Sequence, residues 1–245
     1  MIEGLLEQLE IPSACKIEKK LYKKQFTQNF SLKADEKKAL SNEVKSITLE
    51  YLLNKDNINI LPFSDEEHEY TEIAFISVEL SEIKSVKKIA RVIQNIPYQL
   101  ILFFVYENSF CINISPKRIN QNDASKLVVE AEYLTKWIDL TKLSEKEKEK
   151  EFISSLKINK QSFSDFYKFY SDLVSKVIAF TLSEYTGTLK HNLSNRETLD
   201  EILELQTKMS EMKNKMKKEN NFKDRVNLNI ELNKITNRLD ELKEA

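Results

Sequence analysis

The chain has 245 residues, of which 41% are hydrophobic and 31% are charged, and its formal net charge is −1 at pH 7. This length allows one sizeable buried core with an appendage. The sequence contains no run of eighteen apolar residues, so we expect no membrane span, and its near-neutral charge argues against a general nucleic-acid coat.

The N-terminal part, residues 1–45, is predicted to be mainly helical and polar. A first apolar helix face ends at Pro12. A second helix is expected to begin at Asp35 and Glu36, whose carboxylates lie near its positive end, and to continue to Val44.

Two features of the chain predict a cytoplasmic protein. The first residues, MIEGLLEQLE, carry acids where a signal peptide needs basic side chains. The two cysteines, Cys15 and Cys111, share no metal-type spacing, and we expect two free, buried thiols in a reducing compartment.

The sheet core is predicted to cover residues 45–140. After residue 45 the pattern takes a period of two, in which Ile47, Leu49 and Tyr51 alternate with Ser46, Thr48 and Glu50. This alternation predicts a strand with one solvated face. The stretch YTEIAFISVEL then predicts a central strand, and the spacing of apolar residues from Lys87 to Ile96 predicts a helix.

The second half of the sheet core begins with QLILFFVY, which predicts a strand buried on both faces. Glu107-Asn108 predicts a tight turn, so Gln99 to Ser115 is expected to form a β-hairpin. LVVEAEYLTKWI, from Leu127 to Ile138, predicts a further strand. The fold class is therefore predicted to be α+β, with a mostly antiparallel sheet covered by helices.

Helical patterns follow the sheet. SEKEKEKE, residues 144–151, predicts a solvated helix or linker, and residues 162–183 predict a packing helix with a wide apolar face. The aromatic residues on that face favour a core helix over a platform for stacking bases. We take residues 1–190 as one α+β globular domain.

Residues 197–245 predict a helical hairpin. Apolar residues recur at spacings of three and four in two sets: Ile202, Leu205, Met209, Met212 and Met216, then Leu228, Leu232, Ile235, Leu239 and Leu242. Each set is a narrow coiled-coil-like seam, and two such helices joined by a short connection pack antiparallel. The methionines favour a surface that can repack, so we predict partner contact at Met209, Met212, Met216, Leu228, Leu232 and Ile235. The same seams would also allow a homo-oligomer.

The sequence gives little support for a cofactor or a metal. Its two glycines, Gly4 and Gly187, cannot form a Gly-rich phosphate loop, which argues against nucleotide hydrolysis and dinucleotide binding. His68 lies in an acidic loop and His191 lies far from it in sequence. We therefore expect no cofactor and no metal.

One enzymatic alternative remains open, a metal-dependent nuclease of degenerate restriction-endonuclease type. Such enzymes place one acid on a strand and Glu-x-Lys on the next, where the carboxylates hold the metal and the lysine steadies the attacking water. Glu79 would supply the second acid and Asp56 the first. Ser81 stands where the lysine is needed. This departure leaves the chain without the full motif.

A second alternative is a DNA-contacting module. Residues 213–225, around the break between the two predicted hairpin helices, carry six basic residues against Glu219 and Asp224. Phosphate contacts by such residues add affinity that depends on salt and not on sequence. The candidate nucleic-acid-binding residues are Lys213, Lys215, Lys217, Lys218, Lys223 and Arg225.

Five stretches of the chain resemble one family in matching order: IPSACKIEKKLYKKQF, SNEVKSITLEYLLNKDNINI, IARVIQNIPYQLILFFVYENSFCI, LTKWIDL and NNFKDRVNLNIELNKITNRLDELK. The family is DUF4391, a bacterial domain of unknown function. Its most distinctive stretch is an Ile-Pro-Tyr that joins a helix to an apolar hairpin. The chain departs from the family in two places. SPKR follows the hairpin, and Ser81 stands at a position where the family often has a basic residue.

The resemblance implies a setting and no established catalytic residue. Such proteins tend to be encoded beside helicases and DNA methyltransferases in bacterial defence or restriction-modification clusters. We therefore expect a non-catalytic accessory subunit that docks on a helicase, nuclease or methyltransferase partner. Nucleic acid could be contacted directly or through that partner, and we expect no membrane partner.

Overall fold

The structure, a computed structural model, describes residues 2–189, 195–219 and 221–244, and divides the chain into two compact units, residues 1–177 and 178–245. The described residues form eight α-helices: α1 (Ile2–Glu7), α2 (Lys23–Asn29), α3 (Ala34–Glu43), α4 (Val86–Ile93), α5 (Glu147–Ser155), α6 (Phe166–Thr186), α7 (Asn195–Lys218) and α8 (Phe222–Glu244). They also form these strands: β1 (Lys16–Lys20), β2 (Val44–Asn54), β3 (Phe63–Ser64), β4 (Glu69–Tyr70), β5 (Glu72–Leu80), β6 (Gln99–Tyr106), β7 (Ser109–Ile114), β8 (Lys117–Asn120), β9 (Asp123–Val129), β10 (Tyr133–Leu134) and β11 (Ile138–Asp139).

The main sheet has seven strands in the order β1-β2-β5-β6-β7-β10, with β11 also paired to β7. All pairs in it are antiparallel except β5 with β6, which α4 connects as a parallel crossover. The predicted α+β class with a mostly antiparallel sheet is confirmed. The predicted turn is also confirmed, since Glu107 has a φ of 51° between β6 and β7, as tight hairpin turns require.

The core lies on the central strands. Side chains of β5 and β6 are buried along almost their whole length, as the apolar runs predict. On one face of the sheet they pack with α3 and α4, whose buried residues include Leu40, Ile89 and Ile93. The amphipathic spacing of α4 places Ile89 and Ile93 on one side, so α4 can cover the parallel strands β5 and β6.

Helix α6 contacts the sheet through its aromatic residues. Phe166, Phe169 and Tyr170 are fully buried. The hydroxyl of Tyr170 donates to the carbonyl of Leu100 on β6 at 2.9 Å and accepts the N–H of Ser115 at 3.2 Å. The apolar face of this helix is therefore core, as predicted. The helix begins at Phe166, later than the predicted start at residue 162.

The prediction that residues 1–45 are mainly helical is wrong for one segment. Residues Lys16–Lys20 form β1, the edge strand of the main sheet, and all five side chains are exposed. A strand exposed on both faces has no alternation of apolar and polar residues, so its sequence carries no period-two signal. Its lysines and an irregular register near Glu18, whose φ is 52°, are typical of a protected edge.

The single strand predicted from Leu127 to Ile138 is also wrong. The chain there contributes the end of β9, which pairs with β8, and then β10 and β11, which both pair with β7. The change of partner occurs around Glu130 to Glu132. The β-branched and aromatic residues Val128, Tyr133 and Ile138 favour a strand in each piece, but they do not specify which strand each piece pairs with.

The segment SEKEKEKE is a helix for part of its length, but it is not fully solvated. Glu149 on α5 is buried, and its carboxylate lies 3.3 Å from the Nζ of Lys136 and 3.6 Å from that of Lys146. Burial acts to raise the pKa of Glu149, but a backbone hydrogen bond and the two nearby lysines together lower it below its ordinary value. The two ion pairs explain how a carboxylate in a charged repeat becomes a buried residue.

The second unit contains the end of α6 and the hairpin of α7 and α8, which contact each other along their length. The predicted helical hairpin is confirmed, with α7 ending at Lys218 and α8 beginning at Phe222. The unit boundary falls within α6, since that helix runs without interruption from Phe166 to Thr186. Among the described residues, no helix has the length and apolar character needed to cross a membrane.

Candidate functional site

A polar cavity of about 470 Å³ lies on one face of the main sheet. The alternating residues of β2 place Ser46, Thr48 and Glu50 on this face, beside Ser77 and Glu79 of β5. The other lining residues include Glu3, Glu18, Lys45 and Glu107. The solvated face predicted for β2 is therefore the floor of an acidic concavity.

Glu79 is engaged by two neighbours on β2. Its Oε1 lies 3.3 Å from the Nζ of Lys45, and its Oε2 accepts a hydrogen bond from the Ser46 hydroxyl at 3.2 Å. Lys45 therefore supplies, from the neighbouring strand, a positive charge that Ser81 cannot supply. Both partners of this ion pair are about half exposed.

Glu50 is the second carboxylate of this cavity, and the sequence did not single it out. It accepts a hydrogen bond from the Ser77 hydroxyl. Burial raises the pKa of Glu50, and the bond from Ser77 opposes that shift. Its position in the Ser46, Thr48, Glu50 alternation was the available signal.

The structure does not bring Asp56 and Glu79 together. Glu79 pairs with Ser46 near the start of β2, whereas Asp56 follows the other end of β2, where Asn54 pairs with Glu72. Seven strand residues separate these ends, which corresponds to roughly 23 Å. Two carboxylates must lie within a few ångströms of each other to share a metal ion. Among the described residues, no group of three or more His, Cys, Asp or Glu is arranged to hold one.

His68 is packed against aromatic rings. Its Nδ1 lies 3.4 Å from Asp65 and its Nε2 lies 3.7 Å from Glu130, and its ring contacts Tyr70 and Tyr167. These neighbours hold the loop between β3 and β4 against the start of α6, where Tyr167 lies. His191 lies outside the described residues.

The predicted partner-contact residues form the interface between α7 and α8. Met212 is buried, and Met209, Met216, Leu228, Leu232 and Ile235 are partly buried. Most residues that flank these positions are exposed. The two seams therefore face each other and close the hairpin.

The base of the hairpin is the better packed end. Ile202, Leu239 and Leu242 are buried there. The guanidinium of Arg238 on α8 makes two bonds to the carboxylate of Glu201 on α7, at 2.7 Å and 3.1 Å. This two-pronged geometry is the strong form of such a pair, and it fixes the register of the two helices.

The six predicted nucleic-acid-binding residues lie near the other end of the hairpin, and all six are exposed: Lys213, Lys215, Lys217 and Lys218 on α7, Lys223 and Arg225 on α8. In the ranges that the structure describes, none of their side chains makes an ion pair. Their charges are therefore available to a ligand.

A groove runs along one flank of the hairpin, which we call the groove flank. It consists of two depressions of about 470 Å³ and 420 Å³ that share Lys215 and Glu231. Both helices contribute apolar side chains to its floor, namely Met212, Leu228 and Ile235. Its rim carries charges of both signs. The seam is thus accessible from this flank although the hairpin is closed.

The two thiols provide a test of the first unit. Cys15 and Cys111 are free and fully buried, and burial raises the pKa of both thiols. The thiolate is the reactive form, so we expect neither cysteine to react with a disulfide reagent at pH 8 in the native protein. Unfolding in urea should release two thiols, and the Cys15→Ser variant should release one. Fast reaction of a native thiol would contradict this packing.

The comparisons with known proteins give one family. A family model described as "Domain of unknown function (DUF4391)" matches residues 9–239. The comparisons with curated proteins and with solved structures each return no match. The matched range includes the main sheet and most of the hairpin.

Proposed function

Since this chain belongs to the DUF4391 family, we propose that it is a non-catalytic accessory subunit that docks on a helicase, nuclease or methyltransferase partner of a bacterial defence or restriction-modification-type system. We further propose that it works in the cytoplasm. Free, buried thiols are consistent with a reducing compartment.

One observation carries the docking proposal, the groove flank of the hairpin. Its floor combines Met212, Leu228 and Ile235 from two helices, and its rim is polar. An antiparallel helix pair with an open seam is suited to receive a third helix. Methionine adapts its shape to the side chains that enter, which favours such a groove.

The expected occupant is an amphipathic helix of the partner. On the α7 side the rim carries Lys208, Lys215 and Lys218 beside Glu211 and Glu219, and on the α8 side it carries Asp224 and Glu231 beside Lys234. Both rims therefore carry charges of both signs. A partner helix whose apolar stripe is flanked by both acids and bases would meet complementary charges on each rim.

The non-catalytic part of the proposal is supported by the sheet-face cavity. Glu79 is paired with Lys45 and bonded to Ser46, and Asp56 lies at the far end of β2. The two residues of the nuclease hypothesis therefore cannot bind one ion. Cleavage of DNA by the purified chain with Mg²⁺ or Mn²⁺, lost in Glu79→Ala, would favour the nuclease instead.

Filling the groove should abolish docking. Asn227 is exposed and lines the groove flank, so Asn227→Trp is expected to place an indole over the apolar floor without removing a seam residue. We expect the variant to lose at least tenfold in affinity for the partner, or about 1.4 kcal/mol. Size-exclusion chromatography with each enzyme encoded nearby would measure the complex.

Asn233→Trp is the matched control. Asn233 is also exposed and lies on the same helix, but it does not line the groove, since it is six residues further along α8, about 240° around the helix from Asn227. The control variant should bind the partner as the parent chain does. Equal loss in both variants would show that the groove is not the docking surface.

A further inference from the structure

The distal half of the hairpin separates its charges between two flanks. Residues 206–236 contain four acids, Glu211, Glu219, Asp224 and Glu231. All four line the groove flank. The other flank of this segment therefore carries no carboxylate on its surface.

Cations are present on that other flank. Lys213 and Lys217 lie two residues before and after Lys215, which lines the groove, so each is about 200° around α7 from it. Arg225 has the same relation to Asn227 on α8. In the described part of the chain, none of these three side chains has an ion-pair partner.

Polar side chains extend the same stripe on both helices. Ser210 precedes Lys213 by three residues, and Asn229 follows Arg225 by four, so each lies on the same helix face as its cation. Ser210, Lys213, Lys217, Arg225 and Asn229 are all exposed. We call these five residues the cationic flank.

We propose that the cationic flank binds the phosphate backbone of duplex DNA. Lysine, arginine, serine and asparagine side chains are the usual donors to phosphate and sugar oxygens. Two packed helices hold the donors on one surface. Because the backbone that carries them is already ordered, binding costs little additional backbone entropy. The contacts fix position and carry no sequence preference.

The composition of the cationic flank favours nucleic acid over an acidic protein. Its five residues are all polar, and exposed Val226 lies beside them, whereas protein interfaces are anchored by clusters of apolar and aromatic side chains. The apolar cluster of the hairpin, Met212, Leu228 and Ile235, lines the groove flank. Residues 195–219 contain no aromatic residue and residues 221–244 contain one, Phe222. This shortage of aromatic residues favours a duplex over a single strand, whose bases bind by stacking on a series of aromatic rings.

The choice of DNA follows from the partner class and in that respect rests on the proposed function. The binding surface itself does not, because the cationic flank and the groove flank lie on opposite sides of the hairpin. A chain that binds DNA through one flank and a DNA-modifying enzyme through the other would hold the enzyme on its substrate. Either contact can fail while the other persists.

The test is salt-dependent binding of the full-length chain to a random-sequence DNA duplex, measured by fluorescence anisotropy. The variant Lys213→Gln, Lys217→Gln, Arg225→Gln removes three charges from the cationic flank. The control Lys215→Gln, Lys218→Gln, Lys234→Gln removes three charges from the groove flank. Glutamine retains high helix propensity, and circular dichroism checks that both variants keep the parent helicity.

The cationic-flank variant should weaken binding on the order of tenfold or more, and should reduce the slope of log K against log salt by about 2.7. The control should leave both nearly unchanged, and Arg225→Lys should retain most of the affinity. Equal loss in the two triple variants, absent or salt-independent binding, tighter binding to single-stranded DNA, or equally tight binding to poly-glutamate would each overturn the proposal.

Discussion

Replacing Tyr170 with Phe is expected to lower the free energy of unfolding by about 2 to 4 kcal/mol. The Tyr170 ring is fully buried, and its hydroxyl bonds the carbonyl of Leu100 and the N–H of Ser115. Loss of the hydroxyl leaves two buried backbone groups without this partner, and an unsatisfied buried group costs about 1 to 3 kcal/mol. Urea unfolding of the full chain measures the change.

Tyr167→Phe is the matched control on the same helix. Tyr167 is only partly buried and stacks on Phe63 with ring centroids 4.9 Å apart, a contact that phenylalanine preserves. We expect a change below about 1 kcal/mol for this variant. If Tyr170→Phe were no more destabilising than Tyr167→Phe, the hydroxyl would not join α6 to the sheet as described.

A second large effect is expected from the pH dependence of stability at Lys117. Its side chain is 1% exposed, and its Nζ donates to the carbonyls of Ile96 at 2.7 Å and Tyr98 at 2.5 Å. Burial lowers the pKa of Lys117 from 10.5 to about 7. The unfolded chain therefore holds a proton that the folded chain lacks between about pH 7 and 10.5.

Proton linkage gives the direction in which the free energy of unfolding changes with pH. Stability rises with pH wherever the unfolded state binds more protons. Lys117 thus contributes least below pH 7 and progressively more above it. Between pH 6 and pH 9, the stability of the parent chain relative to a Lys117→Met variant should rise by about 2.5 kcal/mol.

Urea unfolding of both proteins at several pH values measures this difference, because contributions from cysteine and tyrosine residues are common to both and cancel. Lys37→Met, which replaces an exposed lysine, serves as the control and should leave the pH dependence parallel to that of the parent chain. A pH-independent difference between the parent chain and Lys117→Met would contradict a pKa near 7.

Sequence patterns predict the elements of this fold where burial is regular. The apolar runs of β5 and β6, the spacing of α4 and the seams of α7 and α8 correspond to residues that are buried or partly buried. The two strands are removed from water on both faces and the three helices on one face. Such patterns can be recognised without knowledge of the partner element.

The elements that the sequence misses depend on long-range pairing. β1 is held by backbone bonds to β2 and buries no side chain, so its residues show no period. The pieces β9, β10 and β11 follow one another closely along the chain but pair with two different strands, which local residue preferences do not specify. Buried Lys117, within the SPKR departure from the family, is recognisable only once its two carbonyl acceptors are in place.

The same distinction applies to the candidate site. The basic residues near the hairpin connection can be read from composition, but composition does not separate Lys215 and Lys218 on the groove flank from Lys217 on the cationic flank. Helix packing supplies that separation, because the groove identifies one side of each helix. Glu50 likewise joins Glu79 only through the pairing of β2 with β5.

We propose that this chain acts by docking, through the groove flank of its hairpin, on an enzyme that modifies or unwinds nucleic acid. The most direct measurement is affinity purification of the tagged full-length chain from its native host, with mass spectrometry of the bound proteins. We predict a helicase, nuclease or DNA methyltransferase encoded nearby in stoichiometric amount with the parent chain and the Asn233→Trp variant, and its loss with Asn227→Trp. A chain that remains free in the presence of every neighbouring gene product would contradict the claim.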